Sequence, residues 1–361
     1  MTGGYGDIFR RDLIEIEFPR QIEDQVVDVA PIASSSGSHW IVLTARNELY
    51  ELDAETGKAE KLAVCSEPEI QEDTRFGQLR LRLHIDSNGE FAAVVNDFGR
   101  SGELIDLRTG EEILSLDGGD YLYETVPFSC SFAEIGGKTV LLHRTDWNRL
   151  DFSDASNGEL LTARTLPDRT KKDHESEHDL DYFHGSIYLS PNGDRVLDDG
   201  WVWHPFGVPS AWNIVHWLTA NPWESEDGPS RVNLCWRSYY WNHGMTWIDN
   251  HTIAIEGIGD DDSNIVSGAR IFDTTVKTNI TSFGDSDESG VREINQFKGP
   301  SGKFLSDGKD LFSSNEMGLS RWSYREGSLT GFIPGFQPEH FHSGAREFVQ
   351  LCENTFIRLR I

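Results

Sequence analysis

One kind of turn, repeated along the chain, constrains the fold more than any other feature. SGSHWIVL at Gly37, DSNGEFAAVV at Gly89, IGGKTVLL at Gly137, SPNGDRVL at Gly193, IDNHTIAI at Asn250, SDGKDLFSS at Gly308 and HSGAREFV at Gly344 each place Gly or Asn in a tight turn, followed at once by an apolar strand. Gly and Asn tolerate the positive φ that hairpin turns demand, so each is read as a left-handed position. The copies lie about 50 residues apart, with a shorter last step, as expected for one supersecondary unit per repeat with variable loops.

A second turn follows most of the first ones. LDAETGK ends at Gly57, IDLRTGE at Gly110, SDASNGE at Gly158, FDTTVKT at Lys277 and WSYREGS at Gly327. Four of them carry Asp four places before the Gly or its equivalent, where its carboxylate can accept backbone N–H groups and close the turn. Ser323 does the same more weakly in the fifth. The fourth unit shows no copy, and HPFGVPS stands in its place. The segments between turns are short and rich in Val, Ile, Leu and Phe, and long helical periodicity is absent. Each unit therefore reads strand–turn–strand–loop–strand–turn–strand.

Seven such units predict an all-β, single-domain, seven-bladed β-propeller spanning residues 1–361. The blades fall at roughly 23–64, 79–117, 126–166, 183–218, 244–284, 297–334 and 337–361 plus 8–20. The last unit lacks a fourth strand, and the alternating N-terminal DLIEIEFPR is expected to supply it, removing two sheet edges at once. The SPNG/SDGK turns, the apolar strands after them and the DxxTG turns resemble WD40-type propeller repeats over almost the whole chain. No unit carries the WD dipeptide. The resemblance implies a rigid ring that serves protein–protein interaction.

The chain has 361 residues and a formal net charge of −28. Such a field disfavours nucleic acid and anionic membrane, and would speed encounter with a basic partner. No run of apolar residues is long enough to span a membrane. The N-terminus MTGGYGDIFRRDLIEIEF lacks the pattern of a secretory signal. Cys65, Cys130, Cys235 and Cys352 are scattered, without CxxC spacing, and each sits in or beside an apolar run. A cytoplasmic protein is expected.

Eight of the eleven tryptophans fall between Trp201 and Trp247. Trp201 and Trp203 alternate on one strand and are expected in the core, as are Trp40, Trp247 and Trp322. The Trp-rich insertion at about 206–243 lengthens the crossing between two units, and long loops on a rigid scaffold tend to carry function. Trp212, Trp217, Trp223, Trp236, Tyr239, Tyr240 and Trp241, with Arg237 and Glu224, are therefore the candidate partner-binding residues, weighed against local packing of a long loop. Asn242 and His243 are possible orienting groups.

DRTKKDHESEHDLDYFHG offers His174, His178 and His184 among carboxylates, weak candidates for a metal against the alternative of a solvated charged loop. Asp260, Asp261 and Asp262 lack Ca²⁺-loop spacing and read as an acidic hairpin tip. GxSxG and GxxxxGK[ST] are absent, and basic side chains do not cluster with aromatics along any inferred face. No cofactor and no catalytic residue is assigned. The expected role is a non-catalytic scaffold or adaptor for a protein partner, suited to a basic one, with an inhibitor or immunity role as one version. The alternatives are a metal-dependent enzyme using the propeller funnel and a small-ligand or sugar-binding module using the Trp-rich loop.

Overall fold

The computed structural model of the chain describes residues 13–66, 77, 80–165, 178, 180–281 and 287–361. These residues are all-β, built from short strands in antiparallel sheets. Four sheets have four strands each. Three of them follow chain order: Val26–Pro31 to Lys58–Val64, Arg80–Ile85 to Glu111–Asp117, and Lys303–Ser306 to Ser328–Pro334. The fourth holds His340–His342, Glu347–Leu351 and Thr355–Arg360, and its outer strand is Leu13–Glu17 from the other end of the chain. That strand pairs antiparallel with Thr355–Arg360, from Leu13 opposite Leu359 to Glu17 opposite Thr355. Residues 8–12 of the expected strand lie outside the described residues.

Cys130–Ile135, Lys138–Asp146 and Arg149–Asp154 form a three-stranded sheet, with only an isolated bridge, Ser153 to Leu160, where a fourth strand was expected. The remaining ten strands form one sheet of two halves, begun by Phe183–Leu189 and Met245–Trp247. A single parallel bridge between Asn233 and Gly290 joins them. The outer strand of the first half is Val232–Asn233, beyond the predicted limit of 218, because two short helices, α1 (Ile214–Thr219) and α2 (Glu224–Asp227), intervene.

The first strands of successive sheets touch one another in turn. Val26–Pro31 lies against Arg80–Ile85, which lies against Cys130–Ile135. The contacts continue through Phe183–Leu189, Met245–Trp247, Lys303–Ser306 and His340–His342, which returns to Val26–Pro31. Buried apolar side chains fill the spaces between consecutive sheets. Ile41, Leu43, Leu83 and Val94 sit between the first two, and Phe152, Trp212, Ile214 and Trp217 between the three-stranded sheet and its successor. Trp40, Val349 and Phe356 pack the last sheet against the first. Burying one such side chain fully is worth about 1.5–3 kcal/mol.

The second turns that carry Asp show the expected carboxylate contact, whereas at Ser323 the backbone carbonyl, not the side chain, accepts the Gly327 N–H at 2.8 Å. Asp53, Asp106, Asp154 and Asp273 each accept a backbone N–H two residues on, at 2.9–3.0 Å. Lys277 departs from the pattern. It lies inside a 16-residue strand, Val266–Thr281, and the register shift between Asp273 and Lys277 is a bulge rather than a chain reversal. The first turns are also less uniform than expected. Gly89, Gly137, Gly193 and Gly308 have positive φ, but Gly37, Asn250 and Gly344 do not. At Asn250 the neighbouring Asp249 carboxylate closes the turn by accepting the His251 and Thr252 N–H groups. Gly344 is needed for space, since a Cβ there would lie 2.1 Å from the Ser35 carbonyl. Among the described residues no helix is long and apolar enough to cross a membrane.

Candidate functional site

The Trp-rich insertion divides into an interior part and an exposed part. Trp212 and Trp217 are buried, Trp217 meeting Phe152 at 4.9 Å, and neither reaches a partner surface. Helix α1 makes this necessary: capped by Asn213, whose side chain accepts the His216 N–H at 2.8 Å, it lays one face on the sheet beneath. Glu224 is wholly buried and accepts from Ser230 N–H at 2.7 Å, the His216 ring at 2.6 Å and Asn221 at 3.0 Å. Burial alone would raise its carboxyl, but these hydrogen bonds bring it below the usual range. Arg237 is also buried, donating to the Glu256 carbonyl at 2.8 Å beneath the ring of Tyr240. Tyr240 stacks on His243 at 3.5 Å and is itself covered. Trp212, Trp217, Tyr240, Arg237 and Glu224 are thus buried in the structure, the local packing weighed against partner contact for this loop. Trp212 and Trp217 join the apolar layer beneath the insertion, while Arg237 and Tyr240 pack together beside Glu256 and His243.

Trp223 is half-buried between the His178 ring, stacked at 4.4 Å, and the Arg164 guanidinium at 5.0 Å. Trp236 is half-buried and donates to Glu288 at 3.2 Å. Tyr239 is 64% exposed. Trp203, expected in the core with Trp201, is 44% exposed because the strand ends at Val202 and turns the next side chain outward.

His178 and His184 have separate carboxylate partners. His174 lies outside the described residues. His178 contacts Asp227, whereas His184 is buried against Asp198 at 2.6 Å. Among the described residues no group of three His, Cys, Asp or Glu side chains is placed to hold a metal ion.

Two features share one end of the sheets, where the inner strands begin. The first is an aromatic stack. Phe183 lies on Trp201 at 4.2 Å and Trp201 on Trp241 at 5.1 Å, while Trp147, Tyr121 and Trp203 close the edges. Thr125 ties it to the preceding loop. Its hydroxyl accepts from Trp201 Nε1 at 3.1 Å, and its carbonyl accepts from Trp241 Nε1 at 3.1 Å and Asn242 Nδ2 at 2.9 Å.

The second is a cavity of about 690 Å³ at the centre of the inner strands, next to Asn242 and His243. Its size suits a small molecule. The segment RLRLHI explains much of its lining. In a strand alternate side chains share a face. Leu81, Leu83 and Ile85 pack into the apolar layer against the first sheet, while Arg80, Arg82 and His84 line the cavity. Lys303 reaches it from another wall, with Asp97, Tyr188 and Glu256. Arg82 Nε donates to Asp97 at 2.6 Å. Basic side chains therefore do gather beside aromatic ones, contrary to the sequence expectation. Three basic groups at alternating positions of one short strand, in so acidic a chain, were the signal available.

Burial and the nearby Arg82 push the His84 imidazole down to about 4, and burial and Arg237 push His243 to about 4. Burial, with Arg82 beside it, lowers the Lys303 ammonium to about 8. Tyr188 is pushed up to about 12, mainly by burial, and burial pushes the Cys130 thiol up as well. At neutral pH both are protonated, so neither is a ready nucleophile. The site offers cations, fixed carboxylates and aromatic walls: the equipment for holding a ligand. No protein-family model matches the chain, and no curated protein matches it.

Proposed function

We propose that the chain is a seven-bladed β-propeller of the cytoplasm that acts as a non-catalytic platform for a basic protein partner. The cyclic contacts of seven inner strands, and the apolar layers between consecutive sheets, support the architecture. Four free cysteines suit a reducing compartment.

One observation carries the function. Tyr121, Trp203 and Tyr239 are exposed along a single rim over the aromatic stack, joined through Phe183 and through the Tyr239 N–H bonded to the Pro205 carbonyl at 2.9 Å. Exposed Asp260 and Asp262 stand beside Tyr239, since Ser238 donates to the Asp260 carbonyl at 2.8 Å. Rigid aromatics flanked by carboxylates match the anchors and steering charges of a protein interface. This moves the contact surface from the interior of the 206–243 insertion to its outer edge.

The test is affinity capture from the source cell's lysate by the intact protein and by a Trp203→Ala/Tyr239→Ala variant. A basic protein retained by the former and lost by the latter is expected, with retention weakening as salt rises. Equal capture by both would overturn the assignment of this rim.

A further inference from the structure

We propose that the central cavity binds a small hydroxylated anion, held between Arg82 on one wall and Lys303 on another. This goes beyond partner binding and uses other residues.

Several donors around the cavity have no acceptor among the described residues. Lys303 makes no hydrogen bond or ion pair among the described residues, although it lies within electrostatic reach of Arg82, Asp28, Glu339 and Arg80. Arg82 makes one hydrogen bond, from Nε, and no described residue accepts from its Nη atoms. His84 Nε2 is buried with no partner. Among the described residues Arg80 has only long ion-pair contacts, 3.7 Å to Asp97 and 3.9 Å to Glu339.

The carboxylates do not fill this need. Asp28 lies 3.3 Å from His340 and accepts the Leu83 N–H at 2.8 Å, which with Arg82 holds it well below the usual range despite burial. Glu256 accepts the Gly302 and Gly244 N–H groups at 3.0 and 3.3 Å and lies 3.8 Å from His243. Asp97 Oδ2 meets Arg82, but its Oδ1 is buried and unpartnered in a residue only 1% exposed.

Asp97 answers Arg82, but the Lys303 ammonium has no hydrogen-bonded counter-charge among the described residues, and a partly desolvated cation without one is costly. An anionic group between the walls would accept from the Arg82 Nη atoms and Lys303 Nζ, giving charge-assisted hydrogen bonds. A hydroxyl on the same ligand would donate to Asp97 Oδ1. A sugar phosphate and a hydroxy-carboxylate both meet these requirements.

Titration calorimetry with ribose 5-phosphate, inorganic phosphate and citrate tests this on the intact chain and on Lys303→Met and Arg82→Gln variants. Saturable one-site binding of at least one probe is expected, weakened tenfold or more in Lys303→Met. Binding should also weaken from pH 7 to pH 9 as Lys303 loses its proton. The other groups facing it are Arg80, Arg82, His84, His243, His340, Tyr188, Asp28, Asp97, Glu256 and Glu339, and the shifts of five of them keep His84, His243 and Tyr188 neutral and Asp28 and Arg82 charged over that interval. Binding of phosphates alone assigns a phosphoryl ligand, and of citrate alone a carboxylate. No saturable binding of any probe, or unchanged affinity in Lys303→Met, would overturn the site. Lys303→Met removes an unpaired charge and should melt no lower than the parent, so lost binding is not lost folding. Trp203→Ala/Tyr239→Ala should bind the probe normally, which separates this site's failure from that of the rim.

Discussion

Asp199 shows how one buried residue sets a pH response. It is 1% exposed, and its carboxyl is pushed up to about 7 by burial first, with Arg237 opposing and the adjacent Asp198 adding to the rise. A folded-state value above the ordinary one means that the folded chain keeps a proton the unfolded chain has released. The stabilisation is fully present below about pH 4, is lost as pH rises through about 7, and is absent above that. Asn imitates the protonated form and cannot ionise. Asp199→Asn should therefore be more stable than the parent at pH 8, by up to about 4 kcal/mol, and the gap should narrow toward pH 5. Urea midpoints at pH 5, 6.5 and 8 measure it, and a gap independent of pH would contradict the assignment. DDGWVW shows the neighbouring Asp198, but not the burial that contributes most to the rise, nor Arg237, 38 positions away in a part of the chain read as surface, which opposes it.

At the scale of elements, legibility followed locality. The Asp-closed turns at Asp53, Asp106 and Asp154 were readable because carboxylate and amide lie two residues apart. The bulge at Lys277 was not, because FDTTVKT keeps the turn's Asp while the strand runs on to Thr281. Trp203 and Trp212 were misplaced in opposite directions: alternation says which residues share a face, but not where a strand stops or what later covers it. The N-terminal strand was legible from its alternation and from the missing partner of the last unit. It makes five residue pairs with Thr355–Arg360, and Ile16 and Phe18 pack on the cluster containing Trp40, with Phe18 6.2 Å from Phe356. Deleting residues 1–20 should expose an edge and lower stability by about 2–5 kcal/mol, from the lost apolar burial and pairing. A thermal melt of the truncated chain decides it. An unchanged midpoint would mean that the strand contributes nothing to closure.

For the whole molecule, the turn pattern made the all-β class legible, but not what the inner strands enclose. Arg82 and Lys303 are 221 positions apart and meet only because strands from separate sheets line one cavity. The same cyclic order makes a prediction about connectivity. Leu13 sits opposite Leu359 in an antiparallel pair, so the start of the first strand adjoins the end of the last, with Cα atoms about 5 Å apart. A short Gly/Ser linker from Ile361 to Leu13 then closes the backbone without strain, and the chain can be opened elsewhere. The turn at Gly136–Gly137 is suitable: both residues have positive φ, and an added Cβ at either would meet nothing within 4 Å. A permutant beginning at Gly137 and ending at Gly136, with the linker in place of residues 1–12, keeps every sheet pairing described here. It should fold to the same β-rich circular dichroism spectrum and melt in one cooperative step within about 10 °C of the parent, a shift of a few kcal/mol for a domain of this size. If the permutant stays unfolded while the parent with the same linker on its C-terminus folds, the two ends do not meet as the pairing requires, and the cyclic arrangement of the sheets fails with them.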